Sequence, residues 1–252
     1  MDDYLAFAKD LVRQGGQLIK DNFDSNVSIE FKSDSTPVTW VDNQINDLFI
    51  EAVRKTYPDH GLLGEESNLG DGHEELQWLC DPLDGTKCFI LGIPQCTCIL
   101  ALTRGGQILL STIYNPFTNR LYRAVKAQGA FCNDRPIHVS DQPLKGGYVM
   151  MEASAFPYAE GIKRQGGDIE SVAGTGYKCV MLASGHGSAV LKTKGDIDFH
   201  DIGPSSLIVE EAGGKVTAYD GSALRYYDRP ITAGVVLSNG VTHENLLKIT
   251  SA

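Results

Sequence analysis

Apolar side chains recur at helical spacing in two stretches near the start of the chain. The first covers residues 4–23, and the second covers residues 42–57, where Pro58 and Gly61 end it. Side chains three and four residues apart lie on one face of a helix, so each stretch predicts an amphipathic helix. Alternating apolar side chains over residues 27–31 predict a short strand between the two helices.

The pattern changes to strands between residues 78 and 132. Two apolar runs, 96–103 and 107–114, flank the sequence RGG, which is typical of a β-hairpin. The second half of the chain alternates, and we predict strands near residues 147–152, 188–191 and 231–237 and helices near residues 177–184, 201–212 and 241–248. The loop at residues 140–147 is the predicted boundary between an N-terminal lobe, residues 1–144, and a C-terminal lobe, residues 145–252.

Acidic residues outnumber basic ones, and this balance argues against several classes of function. The 252 residues include 32 Asp and Glu against 22 Lys and Arg, a formal net charge of −10. Duplex nucleic-acid binders need a basic face and polybasic membrane anchors need clustered Lys and Arg, so we expect neither partner. The sequence has neither a secretory signal pattern nor an apolar run near the roughly 20 residues that span a bilayer, so we expect a cytoplasmic protein.

The cysteines predict buried thiols in a reducing compartment. None of them forms a C-x-x-C pair, and no histidines stand beside them at the spacing of a zinc site. Free cysteines behave as small apolar side chains, so we expect them in the core. The six are Cys80, Cys88, Cys96, Cys98, Cys132 and Cys179.

The densest chemical signal is the sequence DPLDGT at residues 81–86, which ends an apolar strand pattern. A turn there would direct the carboxylates of Asp81 and Asp84 and the carbonyl of Leu83 at one point. These hard oxygen donors suit Mg²⁺, and the N–H groups that follow, where a helix could begin, would face an anion. The arrangement is typical of phosphoryl transfer. Asp-Pro and Asp-Gly are also ordinary turn formers, and the motif alone leaves both interpretations open.

Three other acids have simple explanations when each is taken alone. Glu65 follows an apolar pair and fits an exposed loop. Asp42 opens the second predicted helix and fits an N-cap. Asp201 precedes a predicted helix with Pro204 in its first turn, where a cap would also suffice.

Taken together and in order, these segments resemble the inositol monophosphatase family of Mg²⁺-dependent, lithium-sensitive phosphatases. The resemblance runs from about Lys32 to Gly214. It rests on PVTWVD at residues 37–42, GEES at 64–67, DPLDGT at 81–86, and Asp201 followed by EAGG at 211–214. It implies a layered α/β sandwich, α-β-α-β-α, with the active site between two lobes, and it implies a homodimer.

The resemblance also implies roles for individual residues. Glu65 and Thr86 would position and deprotonate the attacking water, and Asp42 would orient Thr86 and support a further metal. Gly85 and Thr86 would donate backbone N–H groups to the phosphate. Two or three Mg²⁺ ions, for which Mn²⁺ can substitute, would be held by Glu65, Asp81, the Leu83 carbonyl, Asp84 and Asp201. Because metal lowers the pKa of water, no covalent phosphoenzyme is needed.

Two positions depart from the family pattern. His200 stands where the family has Trp, before its last metal-ligand Asp, and it indicates either a packing substitution or a group beside that ligand. Many relatives carry a Glu that contacts the leaving group. It is replaced by Lys194 when residues are counted back from Asp201. It is replaced by Lys192 when they are counted forward against the histidinol-phosphate phosphatase branch. Two acids of the same loop could substitute for it, Asp196 and Asp198.

These departures bear on the substrate. Residues 37–39 and 136–140, with the spacing from Gly174 to Gly185, favour the histidinol-phosphate branch. A lysine would repel the ammonium of histidinol but suit a polyol or an added anion, unless both lysines point to solvent. We therefore predict a phosphomonoesterase for a small polyol or amino-alcohol phosphate such as inositol-1-phosphate. The alternatives are a histidinol-phosphate phosphatase, a phosphatase for a sugar bisphosphate or 3′-phosphonucleotide, and a regulatory binding protein, against which the intact ligand set argues.

Overall fold

The structure is a computed structural model, and it describes residues 1–23, 28–31, 37–172, 174–193, 197, 199–224 and 234–251. Within these ranges no helix is both long and apolar enough to cross a membrane. The predictions for five residues, and for the start of the last predicted strand, lie outside the described ranges; the five are Val27, Lys32, Lys194, Asp196 and Asp198.

An eight-stranded sheet occupies the N-terminal half of the chain, beside a small hairpin of β1 (Ile29–Phe31) and β2 (Pro37–Thr39). Its strands are β3 (Gly61–Gly64), β4 (Asn68–Leu69), β5 (Leu76–Asp84), β6 (Thr97–Arg104), β7 (Gln107–Asn115), β8 (Arg120–Val125), β9 (Ala130–Cys132) and β10 (Arg135–Pro136). They lie in the order β10-β9-β8-β7-β6-β5-β3-β4. Strands β3 and β5 are parallel, and the other neighbours are antiparallel. The predicted hairpin is confirmed as β6 and β7.

Two amphipathic helices, α1 (Asp2–Asp21) and α2 (Trp40–Thr56), cover one face of this sheet. Their apolar stripes, which include Leu11 and Ile45, are buried around Trp78 of β5. Burying one such side chain contributes about 2 kcal/mol, so packing holds these helices more firmly than intrinsic propensity does. Both predicted helices are confirmed, and each begins two residues earlier than the pattern indicates.

A short helix, α3 (Thr86–Ile90), follows β5, and a five-stranded sheet occupies the C-terminal half. Its strands are β11 (Tyr148–Met151), β12 (Asp168–Ser171), β13 (Ala189–Lys192), β14 (Lys215–Ala218) and β15 (Val235–Ser238). Strand β11 lies parallel between β12 and β13, and β15 pairs antiparallel with β13 and β14. The hydrophobic pattern misses both edge strands: β12 is mostly exposed, and β14 is a mostly buried strand with only two apolar residues, Val216 and Ala218.

The remaining helices complete the layers: α4 (Ala159–Arg164), α5 (Thr175–Ala183), α6 (Phe199–Glu211) and α7 (His243–Thr250), with a 3₁₀ helix at Ala153–Tyr158. Helices α5 and α6 lie between the sheets in one apolar cluster that runs from Ile99 through Ile208 to Leu237. Helices α4 and α7 cover the outer face of the second sheet. The order of layers is α-β-α-β-α, which confirms the predicted fold class. The lobe boundary at residue 144 stays a prediction, with one sheet on either side of it.

The cysteines are free thiols, and five of the six are buried, with Cys132 half-buried. Burial raises the pKa of the Cys179 thiol to about 12, and it raises the pKa of the Cys80 thiol as well. Thiols with raised pKa values remain protonated and unreactive at neutral pH. The expectation of core thiols is confirmed for these five.

Candidate active site

The parallel pair β3 and β5 brings Glu65 beside Asp81. Gly64, the last residue of β3, stands opposite Cys80 of β5, and the Glu65 N–H donates to the Cys80 carbonyl over 3.0 Å. Because the carboxyl ends of parallel strands meet at one edge, the acids that follow them become neighbours. Glu65 is half-buried there, so the interpretation of an exposed loop is wrong.

The 81–86 segment forms a turn and lines a cavity at the same time. The Leu83 N–H donates to Asp81 Oδ1 over 3.1 Å, an Asx turn, and the strand register shifts between Asp81 and Asp84. Gly85 takes a φ of 95°, and a Cβ there would lie 2.8 Å from the Gln95 carbonyl oxygen. Only glycine fits that position, and α3 begins at the next residue. The turn interpretation of the motif is therefore confirmed, and its metal-binding interpretation stays a prediction.

Three hydrogen bonds hold the carboxylate of Asp84 in place. Its Oδ1 accepts from the Thr175 N–H over 2.6 Å, and its Oδ2 accepts from Thr97 Oγ1 over 2.8 Å and from the Tyr177 N–H over 3.2 Å. Thr175 and Tyr177 lie in the first turn of α5, where the helix dipole favours a carboxylate. Gly174 permits this approach, because a Cβ there would lie 2.7 Å from Asp84 Oδ2.

Asp42 lies in the first turn of α2, three residues after the N-cap, and contacts Thr86. Thr39 is the N-cap of α2, and its N–H and Oγ1 donate to Asp42 Oδ2 over 2.8 and 2.5 Å in a capping box. The predicted N-cap role of Asp42 is therefore wrong by three residues. Thr86 Oγ1 lies 3.3 Å from Asp42 Oδ1 and 3.1 Å from the Leu83 carbonyl oxygen, so the contact that orients Thr86 exists. Burial raises the pKa of Asp42 to about 6, against the lowering effect of Thr39.

A cavity of about 540 Å³ opens between the two sheets and collects most of the predicted site residues. It is lined by Pro37, Glu65, Asp81, Leu83, Asp84, Gly85, Thr86, Lys87, Glu152, Ser154, Gly174, Thr175 and Asp201. Asp201 lies inside the first turn of α6 rather than before the helix, which corrects the predicted boundary. Neither Lys192 nor His200, the described residues predicted to set specificity, is part of this lining.

Burial and neighbouring charges raise the pKa values of two acids of the cavity, Asp81 and Asp201. Burial raises the pKa of Asp81 well above its ordinary value, and the charges of Glu65, Asp84 and Asp201 add to the effect. Burial also raises the pKa of Asp201 to about 6, although His200 and Lys192 lower it. His200 Nε2 lies 3.8 Å from Asp201 Oδ1, so this half-buried ring stands beside the acid.

The chemistry of these donors fits a hard divalent cation. All of them are carboxylate or carbonyl oxygens, which Mg²⁺ prefers, and a cation would offset the repulsion among the carboxylates. Among the described residues, no group of three or more Asp, Glu, His or Cys side chains could hold an ion in its present arrangement. The residues fit Mg²⁺ by donor type and by charge.

Lys192 is turned inward, so the interpretation that it points to solvent is wrong. Its Nζ donates to Glu152 Oε1 and to Thr175 Oγ1, each over 3.0 Å. Lys178 Nζ donates to the same Glu152 oxygen over 2.9 Å. No sequence motif identifies Glu152, although one signal points to it. Lys178 falls within an apolar helix pattern, and a buried lysine needs a buried acid.

Comparison with known proteins identifies the family of the chain. The chain matches the inositol monophosphatase family over residues 1–252. It is 36% identical over 146 residues to the inositol monophosphatase of Mesembryanthemum crystallinum, covering 56% of this chain and 54%, about half, of that protein. It is 31% identical over 233 residues to the histidinol-phosphatase of Chlorobaculum parvum, covering 86% of each.

A solved structure gives the same result for the fold. The IMPase of Thermotoga maritima superposes with a TM-score of 0.89 at 25% identity, covering 99% of this chain and 97% of that one. The family match spans the whole chain. The chain therefore belongs to the inositol monophosphatase family of phosphomonoesterases.

Proposed function

We propose that the protein hydrolyses the phosphate monoester of a small polyol, such as inositol-1-phosphate, with Mg²⁺ in the cavity between the sheets. The observation that carries the proposal is the set of carboxylates lining one cavity beside the start of α3, namely Glu65, Asp81, Asp84 and Asp201. The family is Mg²⁺-dependent, which supports the choice of metal. Two or three ions, with Mn²⁺ as a substitute, are the number that the family resemblance implies.

The chain would hold the metal through four carboxylates and one carbonyl. The ligands would be Glu65, Asp81, the Leu83 carbonyl oxygen, Asp84 and Asp201. When bound, Mg²⁺ supplies a Lewis acid that lowers the pKa of water and neutralises phosphoryl oxygens. The N–H groups of Gly85 and Thr86 would hold the phosphate oxygens at the start of α3.

Proton transfer from the attacking water would involve Glu65, Thr86 and Asp42. The Thr86 hydroxyl can donate to Asp42 Oδ1, which leaves its oxygen lone pairs to accept from water. Thr39 fixes Asp42 by two hydrogen bonds, so the orientation of Thr86 is set before substrate binds. Glu65 lines the same cavity and would accept the proton. Water is the nucleophile, and no residue is phosphorylated.

The second candidate substrate is histidinol phosphate. The Chlorobaculum parvum relative carries that activity in its name, and residues 136–140 resemble that branch. The cavity also contains a carboxylate, Glu152, that an ammonium could approach. Against this candidate, two lysines already contact Glu152 and leave its surroundings cationic. The exposed Lys87 at the cavity keeps a bisphosphate as a third candidate.

Phosphate release by purified protein from a panel of monoesters tests the proposal. The panel contains inositol-1-phosphate, histidinol phosphate, fructose-1,6-bisphosphate and adenosine 3′,5′-bisphosphate, each assayed with Mg²⁺ and with EDTA. We expect turnover only with Mg²⁺, and a kcat/KM for inositol-1-phosphate about tenfold or more above that for histidinol phosphate. Comparable values for these two substrates would contradict the polyol preference. No release from any monoester at saturating Mg²⁺ would contradict the proposed function.

The family resemblance carries three further properties into the proposal: lithium inhibition, a homodimer and a cytoplasmic location. Titration with LiCl during Mg²⁺-dependent turnover tests the first. Light scattering after size-exclusion chromatography tests the second, with a mass of about twice 27.4 kDa expected. Fractionation of cells with a tagged chain tests the third.

A further inference from the structure

Glu152 is an acid of the cavity for which neither metal binding nor phosphate binding accounts. It follows β11 directly, at the end of the central strand of the parallel trio β12-β11-β13. Its side chain is 43% exposed and lines the cavity together with Ser154 and Thr175. A partly exposed carboxylate at this place is a candidate for contact with the part of the substrate that leaves.

Two buried lysines fix this carboxylate. Lys178, with 0% of its side chain exposed, and Lys192, with 14%, both donate to Oε1 of Glu152, over 2.9 and 3.0 Å. Burial alone would raise the pKa of Glu152, but the two ammonium groups lower it to about 2. Glu152 is therefore ionised throughout the neutral range. Its conformation is set by groups that the solvent hardly reaches.

The second oxygen of Glu152 is left for a ligand. Within the described part of the chain, the hydrogen bonds to its side chain are those from Lys178 and Lys192, and Oε1 accepts both. A carboxylate has about four acceptor sites, so Oε2 retains its capacity to accept. Because the residue lines the cavity, this acceptor is offered to whatever occupies it.

The charge of the cluster selects among ligands. One carboxylate and two ammonium groups, the Glu152–Lys178–Lys192 cluster, sum to a charge of +1. A substrate ammonium near Oε2 would meet both lysine charges as well, and the net interaction would be unfavourable. A hydroxyl donates to Oε2 without that repulsion, and it leaves no buried charge unpaired.

Thr175 connects the cluster to the proposed metal site. Its Oγ1 accepts from Lys192 over 3.0 Å, while its N–H donates to Asp84 Oδ1 over 2.6 Å. The position of Glu152 is thus tied, through two residues, to the position of Asp84. A leaving alcohol held by Glu152 would be placed relative to the phosphate that the Asp84 end receives.

We propose that Glu152 determines specificity by accepting a hydrogen bond from a hydroxyl of a neutral polyol leaving group, and that Lys178 and Lys192 are its positioning residues. This inference rests on the proposed function and adds to it the recognition of the alcohol. It places the selective contact at a residue of the C-terminal lobe, outside the four sequence motifs.

Glu152→Gln tests the inference against a substrate that has no hydroxyl beyond the ester. For inositol-1-phosphate we expect kcat/KM to fall about tenfold or more, mainly through KM, because a uniform binding contact is lost. For phenyl phosphate we expect a change of less than about twofold, since no group there reaches Oε2. Glu170→Gln, which changes an exposed acid of β12, is the matched control and should change neither value.

A double variant keeps the test valid if Glu152→Gln folds poorly with Lys178 left unpaired. Glu152→Gln/Lys178→Met keeps the net charge of +1 and removes the lysine that has no exposure. It should show the same loss for inositol-1-phosphate and the same small change for phenyl phosphate. Equal losses for both substrates in the double variant would mean a purely structural role and would overturn the inference.

Two further outcomes separate the inference from the proposed function. If histidinol phosphate is the better substrate of the wild type and Glu152→Gln removes that advantage, Glu152 binds an ammonium, and the inference is wrong while phosphatase activity stands. If the wild type releases phosphate from no ester, the proposed function fails and the inference fails with it.

Discussion

The cavity has two ends that differ in how the charge of their acids is balanced. At the end formed by β3, β5 and α6, burial and neighbouring acids raise the pKa values of Asp81 and Asp201. His200 and Lys192 partly offset the effect at Asp201. At the end formed by β11 and β13, Glu152 has two lysines, and its pKa falls to about 2. The first end needs a cation from solution. At the second end, Lys178 and Lys192 already balance the charge of Glu152, so no cation from solution is needed.

The difference teaches how chemistry and recognition are divided in this molecule. A cluster of acids without balancing cations can bind a metal ion. With the metal bound, it can stabilise charge that develops during the reaction. A satisfied cluster is rigid and serves to select by shape and charge. The predictions below test this division, beginning with the largest expected effect.

Asp84→Asn should abolish turnover, with a loss of about 10³-fold or more, because a proposed ligand loses its charge at the first end. The Thr175 N–H can still donate to the amide oxygen, so we expect the fold to remain. Steady-state kinetics and circular dichroism measure the two effects. Asp59→Asn, an exposed acid beside α2, is the matched control. Wild-type turnover in Asp84→Asn would refute the assignment of Asp84.

Glu152→Ala should lower the free energy of unfolding by about 3 kcal/mol, because it leaves Lys178 buried without an acid. Urea denaturation measures the change. The variant Glu152→Ala/Lys178→Met should recover most of the loss, and Glu170→Ala should change the value little. If the single variant is as stable as the wild type, the second end is not the satisfied cluster described above.

Added Mg²⁺ should raise the free energy of unfolding of the wild type. Linkage predicts an increase of about 2.7 kcal/mol when free Mg²⁺ exceeds the dissociation constant a hundredfold. Thermal unfolding in Mg²⁺ and in EDTA measures the effect, and Asp84→Asn should show much less of it. An equal shift in both proteins would show that the acids at the first end do not bind the metal.

The two ends should also respond to pH with opposite signs. Asp42, beside the first end, has a folded pKa of about 6, above its ordinary value of 3.8, so the folded state binds the proton more tightly. In EDTA its contribution to stability should rise by about 1 kcal/mol as the pH falls from 7 to 5.5. Glu152, with a folded pKa of about 2 and an ordinary value of 4.5, contributes stability that is lost only as the pH falls from about 4.5 towards 2.

Urea denaturation at several pH values distinguishes these contributions. Asp42→Asn should flatten the change between pH 7 and 5.5, and Glu152→Gln should flatten the change below pH 4.5. The matched controls are Asp59→Asn and Glu170→Gln. Unchanged pH profiles in both variants would contradict the opposite signs.

The sequence predicts the first end of the cavity well and the second end poorly. Asp81 and Asp84 lie close together in the chain, and Glu65 reaches them through adjacent parallel strands, so local motifs carry most of that geometry. Lys178 and Lys192 follow Glu152 by 26 and 40 positions in the chain. The three side chains meet only after the second sheet and α5 pack. Hydrophobic patterns contain no information on such pairings.

The errors at the element ends have a similar origin. Asp42 is the first acid of a helix pattern, but Thr39 takes the cap because its hydroxyl and N–H both reach the Asp42 carboxylate. Strand β12 lies at a sheet edge, where exposure removes the apolar alternation that marks a strand. The long helices α1 and α2 and the β6–β7 hairpin are confirmed because their apolar faces are extensive.

The hydrogen bond from Thr175 to Asp84 has a consequence for how new substrates could arise. The donor is a backbone N–H, which every residue except proline supplies, whereas the link to Lys192 uses the Thr175 side chain. A substitution at position 175, or in the cluster itself, can therefore change the alcohol that is accepted and leave the support of Asp84 intact. Selection, or a mutant library at these four positions, can diversify the substrates of this scaffold without repeatedly rebuilding its reaction centre.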